Sequence, residues 1–263
     1  MRAIVASKAI GFNETRWLIW ARAAYCIHKA RSYIFPAMNP KRRAAEAALK
    51  FVKDGMIVGL GTGSTADEFL QALAAAIKAG KLRDIRGIPT SQRSQQRSQE
   101  LGIPLLELAD GIRPDVTVDG ADEVAPGLDL IKGLGGALLR EKIVAQNSAK
   151  LVIIADSSKV VPSLGTRSAL PVEVVQFAHE IQASFLKSLG AEPVLRRDKD
   201  GKPFVTDNGN FIYDCRFAGG IKNPADLEQK FWSQAGIVES GLFLRMASVA
   251  LVADESAVEE RIR

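Results

Sequence analysis

MIVGLGTGSTADEFLQALAAAIKAG, residues 56–80, joins a short apolar run to an amphipathic one through a glycine-rich loop. The run MIVGL predicts a buried strand, and the apolar side chains after the loop recur at steps of three and four, which predicts a helix. These apolar positions are Ala66, Phe69, Leu70, Leu73, Ala74 and Ile77. A strand that passes through a glycine turn into a helix is the repeating unit of a parallel α/β sheet.

The same alternation continues on both sides of this stretch. RRAAEAALKFV before it has a helical period, and ALLREKIVAQNSA after it predicts another helix. Further strands are predicted at IRGIP (85–89), PLLEL (104–108), DVTVD (115–119) and LVIIAD (151–156). Several of these runs are almost wholly apolar, as expected for strands that helices cover on both faces. The sequence therefore predicts an α/β fold with a doubly wound, mostly parallel sheet.

The pattern changes around Pro171. Helices are predicted at FAHEIQASFLKSLG and NPADLEQKFW, strands at PVLRR and FIYDCRF, and turns at DKDGK and TDNGN. Helices and antiparallel strands without long crossovers predict a second, smaller α+β domain at residues 169–245. The late apolar run SVALVAD predicts a last strand that returns to the first sheet. The larger domain is then expected to comprise residues 38–168 and 246–263, with the small domain inserted before its last strand.

Basic charge is concentrated at the start of the chain. The net charge is +5, and residues 1–37 hold six basic side chains against one acid, which accounts for all of it. These residues are Arg2, Lys8, Arg16, Arg22, Lys29, Arg31 and Glu14. Because these charges break up its apolar stretches, the segment lacks the run of about 20 apolar residues that a membrane span needs. Serine is also too scarce for a typical transit peptide. We interpret residues 1–37 as an extension outside the fold, with Met38 as the native start; organellar targeting is the alternative.

The neutral remainder of the chain argues against nucleic acid as a partner. No aromatic residues interleave Arg86, Arg93 and Arg97, as a groove for single strands requires. Cys26 and Cys215 show neither disulfide nor metal-ligand spacing, which favours a reducing compartment and no metal centre. The expected partner is therefore a small molecule, not nucleic acid or a membrane.

Ionisable side chains gather between residues 119 and 142 in a chain that has only two histidines. Asp119 and Asp122 end a predicted strand, and Lys132 opens a Gly-Leu-Gly-Gly loop before the helix that carries Glu141. Ligands bind at the carboxyl edge of open parallel sheets, so these groups are expected to meet in one crevice. Aspartates also form turns, and glutamate favours the first turn of a helix, so each residue alone has a simpler explanation. Their combination favours a site, in which Glu141, aligned with apolar side chains, has a raised pKa and acts as a base.

The loop GLGTGSTA, residues 59–66, is a candidate anion site. Its glycines allow close approach of the backbone, and Ser64, Thr65 and the first helical amides offer donors. It lacks the Gly-Lys-Ser/Thr ending of a nucleotide P-loop. The acid that dinucleotide binding requires after the second strand is also missing, because Thr90 and Ser91 stand there. A tight turn without ligand is the alternative for this loop taken alone.

Six segments resemble the A-type ribose-5-phosphate isomerases, in the order and spacing of that family across residues 38–263. They are GLGTGSTA at 59–66, VDGADEV at 118–124, KGLGGALLREKI at 132–143, LPVEVV at 170–175, VTDNGN at 205–210 and GLF at 241–243. The resemblance implies interconversion of D-ribose 5-phosphate and D-ribulose 5-phosphate in the non-oxidative pentose phosphate pathway, without metal or organic cofactor. It also implies a cytoplasmic homodimer or dimer of dimers.

The resemblance further implies roles for individual residues. Glu141 is expected to carry a proton between C2 and C1 through a cis-enediolate, Asp119 to assist ring opening, and Lys132 to stabilise the oxyanion. Asp122 is expected beside the sugar. The implied substrate-binding residues are Lys41, Thr62, Gly63, Ser64, Thr65, Asp119, Gly120, Ala121, Asp122, Lys132, Gly133, Leu134, Gly135 and Lys159.

Two other functions compete with this hypothesis. A non-catalytic effector protein that binds a sugar phosphate would keep the phosphate loop and could dispense with Glu141. A nicotinamide-dependent dehydrogenase would need the ribose-binding acid that this sequence lacks.

Overall fold

The computed structural model describes residues 31–34 and 39–263. The strands are β1 (Arg31–Ile34), β2 (Ile57–Leu60), β3 (Arg86–Pro89), β4 (Val116–Gly120), β5 (Glu123–Val124), β6 (Leu130–Ile131), β7 (Leu151–Asp156), β8 (Leu170–Val174), β9 (Ala191–Leu195), β10 (Phe211–Phe217), β11 (Ile237–Ser240), β12 (Leu242–Phe243), β13 (Val249–Ala253) and β14 (Ala257–Ile262). The helices are α1 (Pro40–Ala48), α2 (Ser64–Lys78), α3 (Gln92–Glu100), α4 (Leu138–Gln146), α5 (His179–Ser188) and α6 (Pro224–Trp232). Within these residues, none of the helices combines the length and apolar character that a membrane crossing requires.

Seven strands form the main sheet, in the order β1-β14-β13-β7-β4-β2-β3. The strands from β13 to β3 are parallel, whereas β14 and β1 form an antiparallel edge. Side chains of β7 alternate between two apolar clusters. Val152 and Ile154 join the cluster that contains residues of α1 and α2, and Ile153 joins the one that contains Ala145 of α4. Helices therefore cover both faces, which confirms the predicted doubly wound, mostly parallel sheet.

Residues 169–245, called the small-sheet region below, contain a second sheet with the order β11-β8-β10-β9. All of its neighbouring strands are antiparallel. Leu186 of α5 and Phe231 of α6 pack into its apolar core. From this region β12 also pairs with β6, the strand that directly precedes Lys132. The structure thus confirms a smaller antiparallel unit beside the parallel sheet.

Two details of the strand prediction are wrong. Residues 104–108 form no strand, and only Leu105 bridges to Gly87. Proline has no N–H to donate, so Pro89 cannot extend this pairing past the single bridge. The run 248–254 returns to the main sheet as β13, but β14 follows it, so the small-sheet region precedes the last two strands.

Four residues of the predicted extension belong to the main sheet. Arg31–Ile34 form β1, which pairs with β14, so the expectation that residues 1–37 lie outside the fold does not hold for them. The reason is that β14 would otherwise be an edge strand, whose unpaired N–H and C=O groups accept another extended segment. The rest of that prediction, residues 1–30 and 35–38 including the proposed start at Met38, lies outside the described residues.

Candidate active site

Asp119 lies at the carboxyl edge of the main sheet, where β2 and β4 run side by side. The backbone amides of Thr62 and Gly120 donate to its Oδ1 at 2.9 and 2.7 Å. A Cβ on Gly61 would lie 2.3 Å from the same oxygen, so glycine is required for the loop to pass this carboxylate. The loop after β2 therefore fixes one oxygen of Asp119 and leaves Oδ2 for another partner.

Lys132 joins Asp119 and Glu141 in a buried charge cluster. Its Nζ lies 3.0 Å from Asp119 Oδ2 and 3.4 Å from Glu141 Oε2, and it donates to the carbonyl of Gly120 at 2.6 Å. Asp119, Lys132 and Glu141 are only 1, 2 and 4% exposed. Because β6 ends just before Lys132 and α4 carries Glu141 in its first turn, the glycine-rich loop between them brings both charges together.

Burial and neighbouring charges set the protonation of this cluster. Burial raises the pKa of Glu141 to about 8, opposed by Lys132 and assisted by the negative charge of Asp119. Burial also raises the pKa of Asp119, against Lys132 and the two backbone amides. Burial alone would lower the pKa of Lys132, but the two carboxylates outweigh it and raise this pKa. Lys132 Nζ, 3.4 Å from Glu141 Oε2, opposes the effect of burial only in part, so the pKa of Glu141 stays raised into the range of a base that works near neutral pH.

The N-terminus of α2 lies in the loop that contacts Asp119. Gly63 precedes the helix with φ of 109°, in the left-handed region that favours glycine, and no described side chain caps the helix there. The first amides of α2 are thus available to an anion. Lys41 Nζ donates to Ser64 Oγ at 2.9 Å, and Thr62 Oγ1 donates to Ser91 Oγ at 2.8 Å. A cation, hydroxyl groups and helical amides together have the chemistry of a phosphate cradle.

A cleft of about 100 Å³ joins this cradle to the charge cluster. Asp119 and Leu134 are the predicted site residues that do not line it. Asp119 is buried and contacts the lining through Lys132, whereas the side chain of Leu134 is 43% exposed and its amide donates to Asp122 Oδ2 at 2.9 Å. The lining residues are Lys41, Thr62, Gly63, Ser64, Thr65, Gly120, Ala121, Asp122, Lys132, Gly133, Gly135, Glu141 and Lys159.

Three further residues support the loops of the site and are not among those predicted from the sequence. Thr90 Oγ1 lies 2.8 Å from Thr62 Oγ1, and Ser91 accepts from the same threonine. Arg196 Nη1 donates to the carbonyl of Gly133 at 3.1 Å. Thr90 and Ser91 directly follow β3 in the sequence, and two hydroxyl residues at a strand end could have indicated that they contact the loop at Thr62. Arg196 gives no such signal, because it reaches the loop from the small-sheet region.

Comparison with known proteins points to one family. Residues 86–257 match the model of ribose 5-phosphate isomerase A (phosphoriboisomerase A). The chain is 51% identical over 220 residues to ribose-5-phosphate isomerase A of Roseiflexus sp. (strain RS-1), which covers 84% of this chain and 94% of the relative. It is 52% identical to the protein of the same name from Gloeobacter violaceus, over 83% of this chain and 94% of the relative. A solved structure of D-ribose-5-phosphate isomerase in complex with phospho-erythronic acid superposes with a TM-score of 0.82 at 38% identity, over 86% of this chain and 100% of the other.

Proposed function

The chain belongs to the ribose 5-phosphate isomerase A family and interconverts ribose 5-phosphate and ribulose 5-phosphate, and we propose that Glu141, Lys132 and Asp119 carry out this reaction. The observation that carries the proposal is the environment of Glu141. It is a buried carboxylate with a raised pKa, 3.4 Å from a lysine, in the cleft that also contains the phosphate cradle. A base that ionises near neutral pH beside a fixed cation is suited to removing a proton from carbon.

In the proposed mechanism the carboxylate of Glu141 removes the proton from C2 of the open-chain aldose. The C–H electron pair forms the C1–C2 double bond, and the carbonyl electrons move to O1, which gives a cis-enediolate. Lys132 stabilises that negative charge. The proton on O2 passes to O1, and Glu141 returns its own proton to C1, which leaves a ketone at C2. Asp119 holds Lys132 and assists ring opening, while Asp122 contacts the sugar.

The solved relative in complex with phospho-erythronic acid supports this assignment. A carboxylate is planar and carries negative charge on its oxygens, as an enediolate does, whereas the neutral aldehyde of the substrate does not. Sites that stabilise a transition state bind such charged mimics well. In this chain Lys132 lines the cleft and lies next to Glu141, the proposed base, so its positive charge is placed to bind such a mimic.

We also propose that residues 62–65, with Lys41 and Lys159, bind the phosphate group. Lys41 is hydrogen-bonded to Ser64, and both lysines line the same cleft as the loop. The phosphate does not change during the reaction, so its contacts are equally strong in the ground state and in the transition state.

Replacement of Lys159 with alanine is therefore expected to raise KM by about tenfold or more and to change kcat much less. Steady-state kinetics with ribose 5-phosphate measures both constants. Lys78→Ala is a matched control, because it removes a positive charge from the opposite end of α2, outside the cleft. A fall in kcat at constant KM would remove Lys159 from the phosphate site.

The rate is expected to follow the ionisation of Glu141. Because the base must be deprotonated and burial raises its pKa to about 8, kcat/KM should rise with pH up to about 8 and then level off. The second ionisation of a phosphate ester lies near pH 6, so a profile between pH 7 and 9 reports the enzyme group and not the substrate. A flat profile across that interval would contradict a base with this pKa.

The isomerase assignment is tested most directly with the purified full chain, ribose 5-phosphate and a metal chelator, without nucleotide. Ketose should appear at a rate proportional to the protein concentration, and its absence would overturn the proposal.

The effector alternative is not favoured, because the relatives are named isomerases and Glu141 lines the cleft. The family resemblance also supports, as proposals, a place in the pentose phosphate pathway, a cytoplasmic location, and a homodimer or dimer of dimers.

A further inference from the structure

The two chain neighbours of Glu141 are both held by the small-sheet region. Arg140 Nε donates to Asn208 Oδ1 and its Nη2 to the carbonyl of Asp207, both at 3.0 Å. On the other side, Lys142 Nζ donates to Glu239 Oε1 at 2.7 Å. The proposed base is therefore flanked by two cations whose partners lie outside its own helix.

The helix that carries these residues lacks a side-chain cap from any described residue at its N-terminus. α4 is nine residues long, and Ala137 stands at this end. Glu141 lies in its first turn, close to that uncapped end. Terminal turns without caps are the part of a helix that frays most readily. Contacts from outside the helix therefore add to the packing of Leu138 and to the contact with Lys132 in fixing the direction of the Glu141 side chain.

The partners of Arg140 are themselves fixed in place. Thr206 and Asn210 donate to Glu173 Oε1 at 2.9 Å each, and this carboxylate of β8 is fully buried. Asp207 Oδ2 also accepts from the amide of Gln92, at 2.7 Å, at the start of α3. The turn at residues 206–210 is therefore attached to β8 and to α3 before it receives Arg140.

We propose that Arg140 is a positioning residue for the isomerisation, and that its hydrogen bonds to the turn at residues 206–210 hold Glu141 in register with Lys132. The proposal rests on the role of Glu141 as the base. A planar guanidinium with several donors in a fixed fork restricts both the position and the rotation of α4 more than a single hydrogen bond would. Because a displacement of about 1 Å can lower a rate by roughly 100-fold, such a restraint is expected to be visible in turnover.

Arg140→Ala is expected to lower kcat by about 10- to 100-fold and to leave KM for ribose 5-phosphate within about threefold. KM should persist because Arg140 does not line the cleft that contains the phosphate cradle. The side chain is 35% exposed, so the variant should stay folded. Arg140→Lys keeps the charge but loses the fork, and it should recover only part of kcat. Arg261→Ala is the matched control, because that arginine is 33% exposed, pairs with Glu259 and lies on β14; it should keep both constants.

A double-mutant cycle with Asn208→Ala separates positioning from a general loss of structure. Asn208→Ala should lower kcat by itself but have little further effect in the Arg140→Ala background, because the contact is already lost. Unchanged kcat in Arg140→Ala, a rise in KM instead, or independent effects of the two substitutions would each overturn the proposal. If Glu141→Gln kept its turnover, the base assignment would fail; if Glu141→Gln were inactive and Arg140→Ala fully active, only the positioning role would fail.

Discussion

Replacement of Glu141 with glutamine should lower kcat by about 100- to 10,000-fold, the contribution of a general base, while the protein remains folded. Glutamine has nearly the shape of glutamate but cannot take a proton from carbon. KM should change little, because the phosphate cradle lies on other elements of the cleft. Steady-state formation of ketose measures the loss, and circular dichroism checks the fold. Turnover within about tenfold of the unaltered enzyme would exclude Glu141 as the base.

The same substitution should not reduce stability at alkaline pH. The pKa of Glu141 is raised from 4.5 to about 8 in the folded chain, so the folded state binds this proton more tightly than the unfolded state. Its contribution to stability is therefore fully present below about pH 4.5 and is lost as the pH rises towards 8. Glutamine carries no charge to bury, so the Tm of Glu141→Gln at pH 9 is expected to equal or exceed that of the unaltered protein.

Glu100→Gln serves as the control for both measurements. Glu100 ends α3, its side chain is 50% exposed, and its partner is Arg97. An exposed ion pair contributes little to stability because water screens it, so neither kcat nor Tm should change appreciably. A large loss of stability in Glu141→Gln at pH 9, against an unchanged control, would contradict a Glu141 whose burial disfavours its ionised form.

The parallel sheet could be predicted from the sequence because its signals are local. The stretch at residues 56–80 contains strand, glycine loop and amphipathic helix in one run, and they appear as β2 and α2. The helix α3 has no such signal, since QRSQQRSQE has no apolar residue. It begins instead with reciprocal hydrogen bonds between Ser91 and Ser94, a capping box that uses a second serine in place of the usual glutamate.

The candidate site could be predicted only in part, because some of its contacts are local in the sequence and others join distant segments. Asp119, Lys132 and Glu141 follow strand ends and glycine loops that are visible in one segment of sequence, so their convergence could be expected. The contacts of Arg140 and Arg196 join residues more than 60 positions apart, from Arg140 to Asn208 and from Arg196 to Gly133. Such contacts depend on how the small-sheet region packs, and no periodicity or spacing in a single sequence records them.

Lys132→Met is expected to impair both activity and stability. Loss of a donor that stabilises an oxyanion typically lowers turnover by about 100- to 1,000-fold. Removal of one partner from a buried ion pair typically lowers the free energy of unfolding by about 3–5 kcal/mol, because the other charge stays buried without compensation. Here two carboxylates, Asp119 and Glu141, lose their shared cation. Denaturant unfolding should show the larger loss at pH 8 and a smaller one at pH 5, where protonation removes negative charge from the cluster.

Lys230→Met is the control, because this lysine also pairs with a carboxylate but is exposed. Lys230 Nζ lies 2.7 Å from Asp226 Oδ2, one turn away on α6. The Lys230 side chain is 51% exposed and that of Lys132 only 3%, so water can replace the lost partner at the first site and not at the second. Lys230→Met should therefore change the free energy of unfolding by less than about 1 kcal/mol and leave kcat unchanged. Equal losses of stability in the two variants would contradict a stabilising role for the buried ion pairs of Lys132. Normal turnover in Lys132→Met would contradict its role at the oxyanion.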